Sequence, residues 1–96
     1  MTRRRVRTEE VLLYLGIENR TAFLQQLRTE GLFEAEELAP EEADELRLAR
    51  VLMEELGVNA AGVDVALHLR RRLFALEARA RALADALAEV RERGGD

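Results

Sequence analysis

Four residue types are missing from this 96-residue chain: cysteine, serine, lysine and tryptophan. Without cysteine there are no disulfides, thiolate metal ligands or thiol nucleophiles, and without serine and lysine most other covalent nucleophiles are missing too. Proline occurs once, and aromatic residues make up only 4% of the chain. We therefore expect a core of Leu, Val and Ala, a composition that favours helices.

Long apolar runs are also missing, since none approaches the length that a bilayer-spanning helix needs. The arginine-rich start MTRRRVR leads into no signal-type hydrophobic segment. The formal net charge is −4, which gives no uniform attraction to nucleic acid or anionic lipid. We expect a cytoplasmic protein that has no membrane partner.

Two short helices joined by a glycine-containing turn are predicted near the start. In TEEVLLYLG, Thr8 is placed to cap the first helix and Gly16 to end it. In NRTAFLQQLRTEG, Asn19 is placed to cap the second helix and Gly31 to end it. Apolar residues recur at helical spacing in both segments, namely Val11, Leu12, Leu15, Phe23, Leu24 and Leu27. The pair is a helix-turn-helix candidate.

The chain before and after this helix pair is charged. Residues 1–7 form a basic arm, either mobile or a short edge strand, and LFEAEELA is predicted to be a loop or a stunted hairpin wing. Pro40 suits the first position of a third helix that ends at Gly57. Its apolar face is predicted to contain Ala43, Leu46 and Ala49, then Val51, Leu52 or Met53, and Leu56.

Asn59 is placed to cap a last helix that runs to about Arg93. At 1.5 Å per residue its length is about 50 Å, more than a small globule can cover. In a heptad frame, one core position is occupied by Ala66, Leu73, Ala80 and Leu87, and the other by Leu69, Leu76, Leu83 and Val90. This alternation over four heptads is typical of a coiled-coil seam, and its alanines suit an antiparallel pair.

The seam predicts a homodimer, and a seam folded back on its own chain is the alternative. The predicted dimer residues are Leu69, Leu73, Leu76, Leu83, Leu87 and Val90. A second stripe, Val63, Leu67 and Phe74, is expected to pack on the other helices. Two domains follow from this interpretation: a helix-turn-helix domain with the third helix over residues 1–58, and a dimerisation helix over residues 59–96.

The sequence offers little for catalysis. His68 is the single histidine, with Asp64 four residues earlier, and no further ligand or nucleophile is spaced to join them. No glycine-rich phosphate loop is present either. We expect a binding or structural protein, not an enzyme, without metal or cofactor.

The stretch EGLFEAEELAPEEADE, Glu30 to Glu45, carries eight carboxylates and no basic residue. A helix-turn-helix that binds DNA needs basic side chains for the phosphates, which this stretch would repel. A DNA-binding interpretation must rely on Arg3, Arg4, Arg5, Arg20 and Arg28. A coiled-coil adaptor is a third interpretation.

The predicted order of elements resembles the DNA-binding end of MerR-type regulators joined to their antiparallel dimer helix, and TEEVLLYLGI resembles the opening of these proteins. MerR wings carry a basic and aromatic motif around Gly-Tyr-Arg, where this chain has FEAEELAPEEA. From about Thr8 to Glu77 the chain is more similar to the CbpM family of chaperone modulators. The resemblance is carried by LGIENRTAFLQQLRTEGLFEA and by LRLARVLMEELGVNAAGVDVALHLRRRLFALE, which contains Gly62-Val63 followed by Val65, Ala66, Leu67 and Leu69. Enteric members carry Trp-Pro where Ala60 and Ala61 stand here, which indicates a divergent branch.

This resemblance implies an all-α, MerR-like winged helix-turn-helix with a stunted wing and a long C-terminal coiled-coil helix. It implies binding to the J-domain of a DnaJ- or CbpA-type co-chaperone, and regulation of the DnaK chaperone system by inhibition or assembly. Because the working helix of a J-domain is basic, an acidic strip is the complementary surface. The strip residues are Glu34, Glu36, Glu37, Glu41, Glu42 and Asp44. The alternative is a MerR-family transcriptional regulator.

Overall fold

The computed structural model describes residues 4–94, which are mostly helical with one two-stranded sheet. The predicted predominance of helix is confirmed. The elements in chain order are β1 (Val6–Arg7), α1 (Thr8–Tyr14), α2 (Arg20–Thr29), β2 (Glu37–Leu38), α3 (Pro40–Arg50), a π-helical turn (Val51–Glu55) and α4 (Ala60–Gly94). The chain divides into two compact units, Met1–Ala66 and Leu67–Asp96, which are described separately.

The side-chain caps of α2 and α4 form as predicted. Asn19 Oδ1 accepts a hydrogen bond from the Ala22 amide at 3.1 Å, and Asn59 Oδ1 accepts one from the Gly62 amide at 2.8 Å. Each cap satisfies a backbone donor that has no partner within its helix. The chain then turns after the first three helical segments at Gly16, Gly31 and Gly57, which have φ values of +69°, +77° and +70°.

The predicted cap at Thr8 is wrong. Arg7 occupies the cap position without a side-chain bond, and Thr8 is the first residue of α1. Thr8 is buried, its hydroxyl donates to the Ala35 carbonyl at 2.8 Å, and its amide donates to the Glu36 carbonyl at 2.8 Å. The hydroxyl therefore fastens α1 to a segment 27 residues away, not to its own first turn.

The basic arm and the wing pair in one short antiparallel sheet. Val6 lies opposite Leu38, and Arg7 lies opposite Glu37. Leu38 is fully buried, whereas Arg7 and Glu37 are exposed, so the alternation turns Leu38 inward and leaves the charged pair in solvent. Of the two interpretations of the arm, the edge strand is correct for Val6–Arg7.

Pro40 is the first residue of α3, as predicted, but the helix does not continue in α-form to Gly57. After Arg50 the backbone takes a π-helical turn through Glu55. This turn changes the angular phase of the following side chains. Leu56, predicted on the apolar face with Leu46, lies at the end of this turn and is 67% exposed.

The first unit has one apolar core. It is built from α1, α2, the wing, α3 and the start of α4, and its buried apolar residues are Leu12, Ile17, Phe23, Leu24, Leu27, Leu32, Phe33, Leu38, Leu46, Ala49 and Val63. Aromatic rings contribute only Phe23 and Phe33 to it, in keeping with the composition.

The second unit is the continuous helix from Leu67 to the end of α4. Of the second apolar stripe, Val63 and Leu67 are fully buried, whereas Phe74 is 52% exposed. The Arg70 guanidinium covers one face of the Phe74 ring at 4.7 Å from its centroid. Within residues 4–94, no helix has the combination of length and apolar character needed to cross a membrane.

Candidate partner-binding surface

The wing carries a row of exposed carboxylates, Glu34, Glu36 and Glu37, which we call the wing strip. They lie on the short connection from α2 to α3, which is held in place by the β1 pairing and by the Thr8 hydroxyl. None of the three forms an ion pair with another residue in the part of the chain that the structure describes. Within the described residues, no ion pair neutralises their charge.

The other acids predicted for the strip have different surroundings. Glu41 is exposed in the first turn of α3, whereas the Glu42 carboxylate accepts a hydrogen bond from the Ala39 amide at 3.0 Å. Asp44 accepts from Arg47 at 2.9 Å. Glu45, also in the acidic stretch, is buried. Glu42 therefore stabilises the start of α3, where Ala39 has no capping side chain.

The basic arm lies beside the wing strip. Arg5 and Arg7 line the same shallow depression as Glu36 and Glu37. Arg4 is exposed, and Arg3 lies outside the described residues. The arm thus places positive charge next to two of the three wing-strip carboxylates.

The acidic charge is concentrated in the first unit. Residues 1–66 include 14 acidic and 8 basic side chains, a net charge of −6, whereas residues 67–96 include 5 acidic and 7 basic ones, a net charge of +2. The first unit therefore attracts cations and repels polyanions more strongly than the charge of the whole chain implies.

Arg20 and Arg28 of α2, which the alternative interpretation predicts to contact DNA, differ in their surroundings. Arg20 is exposed at the first position of the helix. Arg28 donates from Nε to the Phe33 carbonyl at 3.0 Å. Phe33 is buried and has φ of 55°, a conformation that is costly for a bulky residue. Arg28 thus holds the backbone turn that leads from α2 into the wing.

Replacing Arg28 with alanine is expected to lower the free energy of unfolding by about 1–2 kcal/mol, since the Phe33 carbonyl loses a donor from a charged group. Arg20→Ala, which removes the same charge from the same helix, should change it by less than about 0.5 kcal/mol. Urea denaturation followed by circular dichroism measures both. Equal effects of the two substitutions would contradict this role for Arg28.

The predicted seam residues of α4 are all exposed in the single chain. Exposed fractions are 51–65% for Leu69, Leu73, Leu76, Leu83, Leu87 and Val90. They form one stripe along the second unit, and the ion pair between Glu89 and Arg93, at 2.8 Å, supports the helix away from it. Continuous apolar stripes of this kind mark interaction surfaces.

The sequence did not predict a groove in the first unit, with a volume of about 780 Å³. It lies between the exposed face of α2, the π-helical turn and the first residues of α4, and Ile17, Phe23 and Met53 contribute to its apolar lining. Glu18, before the start of α2, and Glu30, just after its end, lie at the edge of the groove. The repeat of Ala22, Gln26 and Thr29 on one face of α2 was visible in the sequence, but the π-helical turn opposite was not.

His68 and Asp64 gain no metal-binding neighbours. In residues 4–94, no group of three or more His, Asp or Glu side chains is arranged to hold a metal ion.

Comparison with known proteins gives no match: no protein-family model, curated protein or solved structure is significantly similar to this chain.

Proposed function

We propose that this chain is a chaperone modulator of the CbpM type, a homodimer of MerR-like helix-turn-helix units without catalytic activity. It binds the J-domain of a DnaJ- or CbpA-type co-chaperone and thereby regulates the DnaK system, by inhibition or by assembly. The principal support is the exposed wing strip on a unit of net charge −6. Such a surface is complementary to a basic protein helix.

Four features of the described residues support this fold assignment. α1 and α2 are consecutive helices with a turn at Gly16 between them, and a short wing pairs with the strand before α1. α3 follows the wing, and α4 is 35 residues long. This is the order of elements in the MerR-like arrangement that the sequence resembles.

The alternative, a MerR-family transcriptional regulator, has weaker physical support. Arg28 is bound to the Phe33 carbonyl, and the first unit, in which Arg4, Arg5 and Arg20 are exposed, has net negative charge. Phosphate contacts supply most of the affinity of a protein for DNA, and negative charge beside them reduces it. Protein recognition is therefore the better-supported function.

The test is a calorimetric titration of the full chain with the J-domain encoded in the same genome, at low and moderate salt. We expect a dissociation constant in the micromolar range or tighter, with weaker binding at the higher salt because opposite charges are screened. Absence of heat and of any complex at both salt concentrations would contradict the proposal. A promoter fragment from the neighbouring genes then tests the DNA alternative.

A further inference from the structure

The groove of the first unit combines an apolar lining with an acidic rim. Met53 and Val58 are half-buried and line the groove, and Ile17 and Phe23 lie at its base as part of the buried core. An apolar groove of this kind binds the apolar side of an amphipathic segment.

The rim of the groove is negatively charged. Glu18, Glu30 and Glu54 line it, and no arginine does. Over residues 4–94, Glu18 and Glu30 make no ion pair, whereas Glu54 Oε1 lies 3.5 Å from Arg50 Nε in an ion pair without a hydrogen bond. At least two carboxylates are thus available to an incoming cation.

The length of the groove matches a short helix. It follows the exposed face of α2 from Asn19 to Glu30, which is about 16 Å at 1.5 Å per residue. A partner helix of about three turns covers this distance, with apolar residues at i, i+3, i+4 and i+7 on the lining. Polyanions such as DNA and anionic lipid are disfavoured by the rim.

We propose that this acid-rimmed groove holds a basic amphipathic helix, with aliphatic side chains against Met53 and Val58 and basic side chains at Glu18 and Glu30. The inference rests on the proposed function and deepens it: the helix is the basic helix of the J-domain. The negative electrostatic field of the first unit speeds the association of this basic helix, and contacts in the groove slow its dissociation. The wing strip thus governs the association rate and the groove the dissociation rate.

The test compares two neighbouring exposed positions on α2. Ala22 lines the groove, whereas Thr21 lies about 100° further round the helix and lines a different cleft. Ala22→Arg fills the groove and adds a positive charge, and Thr21→Arg adds the same charge outside it. Gln26→Arg, one turn along the groove, provides a second blocking variant. All three side chains are exposed, so the fold should tolerate them.

The three variants are titrated with the J-domain by calorimetry, and their mass is measured by light scattering. We expect Ala22→Arg and Gln26→Arg to raise the dissociation constant at least about tenfold, and Thr21→Arg to change it by less than about twofold. If the unsubstituted chain binds and Ala22→Arg binds equally well, the groove inference is wrong and the proposed function stands. If the unsubstituted chain does not bind, both are wrong. Loss of the dimer in Ala22→Arg but not in Thr21→Arg would assign the groove to a second copy and overturn the inference.

Discussion

Replacing Leu76 and Leu83 of α4 with aspartate should convert the proposed dimer into a monomer. Both residues lie at the centre of the exposed apolar stripe, and burying each in a partner helix stabilises a dimer by about 1.5–3 kcal/mol. In a dimer the two substitutions place four carboxylates in the seam, and each unpaired buried charge costs several kcal/mol. The dissociation constant of the dimer should therefore rise by at least about a thousandfold.

Light scattering behind size-exclusion chromatography at micromolar concentration measures this change. The matched control is Ala78→Asp with Ala82→Asp, which adds the same charge to the same helix outside the two heptad core positions. This control variant should have the same mass in solution as the unsubstituted chain. It therefore distinguishes disruption of the seam from loss of the helix. An unsubstituted chain that is already monomeric, or a Leu76 and Leu83 variant that remains dimeric, would contradict the seam.

Reversing Glu34, Glu36 and Glu37 of the wing strip to lysine should slow association with the J-domain by about 10- to 100-fold at low salt. The three substitutions change the charge of residues 1–66 from −6 to 0, which removes the attraction to a basic helix. The salt dependence of the association rate should largely disappear with it. Glu42 is kept because its carboxylate caps the Ala39 amide, so the variant retains the start of α3.

Stopped-flow fluorescence at two ionic strengths measures the rate. The control variant carries lysine at Asp85, Glu89 and Glu92, which makes the same change in net charge on the second unit. We expect a smaller effect there, because charges steer association mainly within about 8–10 Å of the contact, and the proposal places the contact on the first unit. Equal slowing by both variants would show that net charge alone matters and that the wing strip has no special role.

The features that the sequence predicted correctly depend on local chemistry. Asn19 and Asn59 cap helices within three residues of themselves, and Pro40 fixes a backbone angle at its own position. The helical periodicity of Phe23, Leu24 and Leu27 is equally local. Such features follow from a few neighbouring residues, so the sequence pattern is sufficient to place them.

The features that were missed depend on distant partners or on backbone geometry. Thr8 has the side chain of a cap, but its acceptor is the Ala35 carbonyl, which only tertiary folding brings near. From the sequence, Arg28 is expected to be an exposed basic side chain, yet it donates to the carbonyl of Phe33, a buried residue with positive φ. Nothing in the residues of the Val51–Glu55 segment distinguishes a π-helical turn from an ordinary one. The acid-rimmed groove was missed for this last reason.

The lining of the groove depends on the number of residues in the π-helical turn after α3 as well as on their identity. One residue inserted into Val51–Glu55 would rotate every later side chain of that segment by about 100°. Met53 and Glu54 would leave the groove and their neighbours would replace them, while the Pro40 start and the Leu46 packing stayed unchanged. A single codon gained at this turn would therefore change the lining of the groove without any substitution in the core.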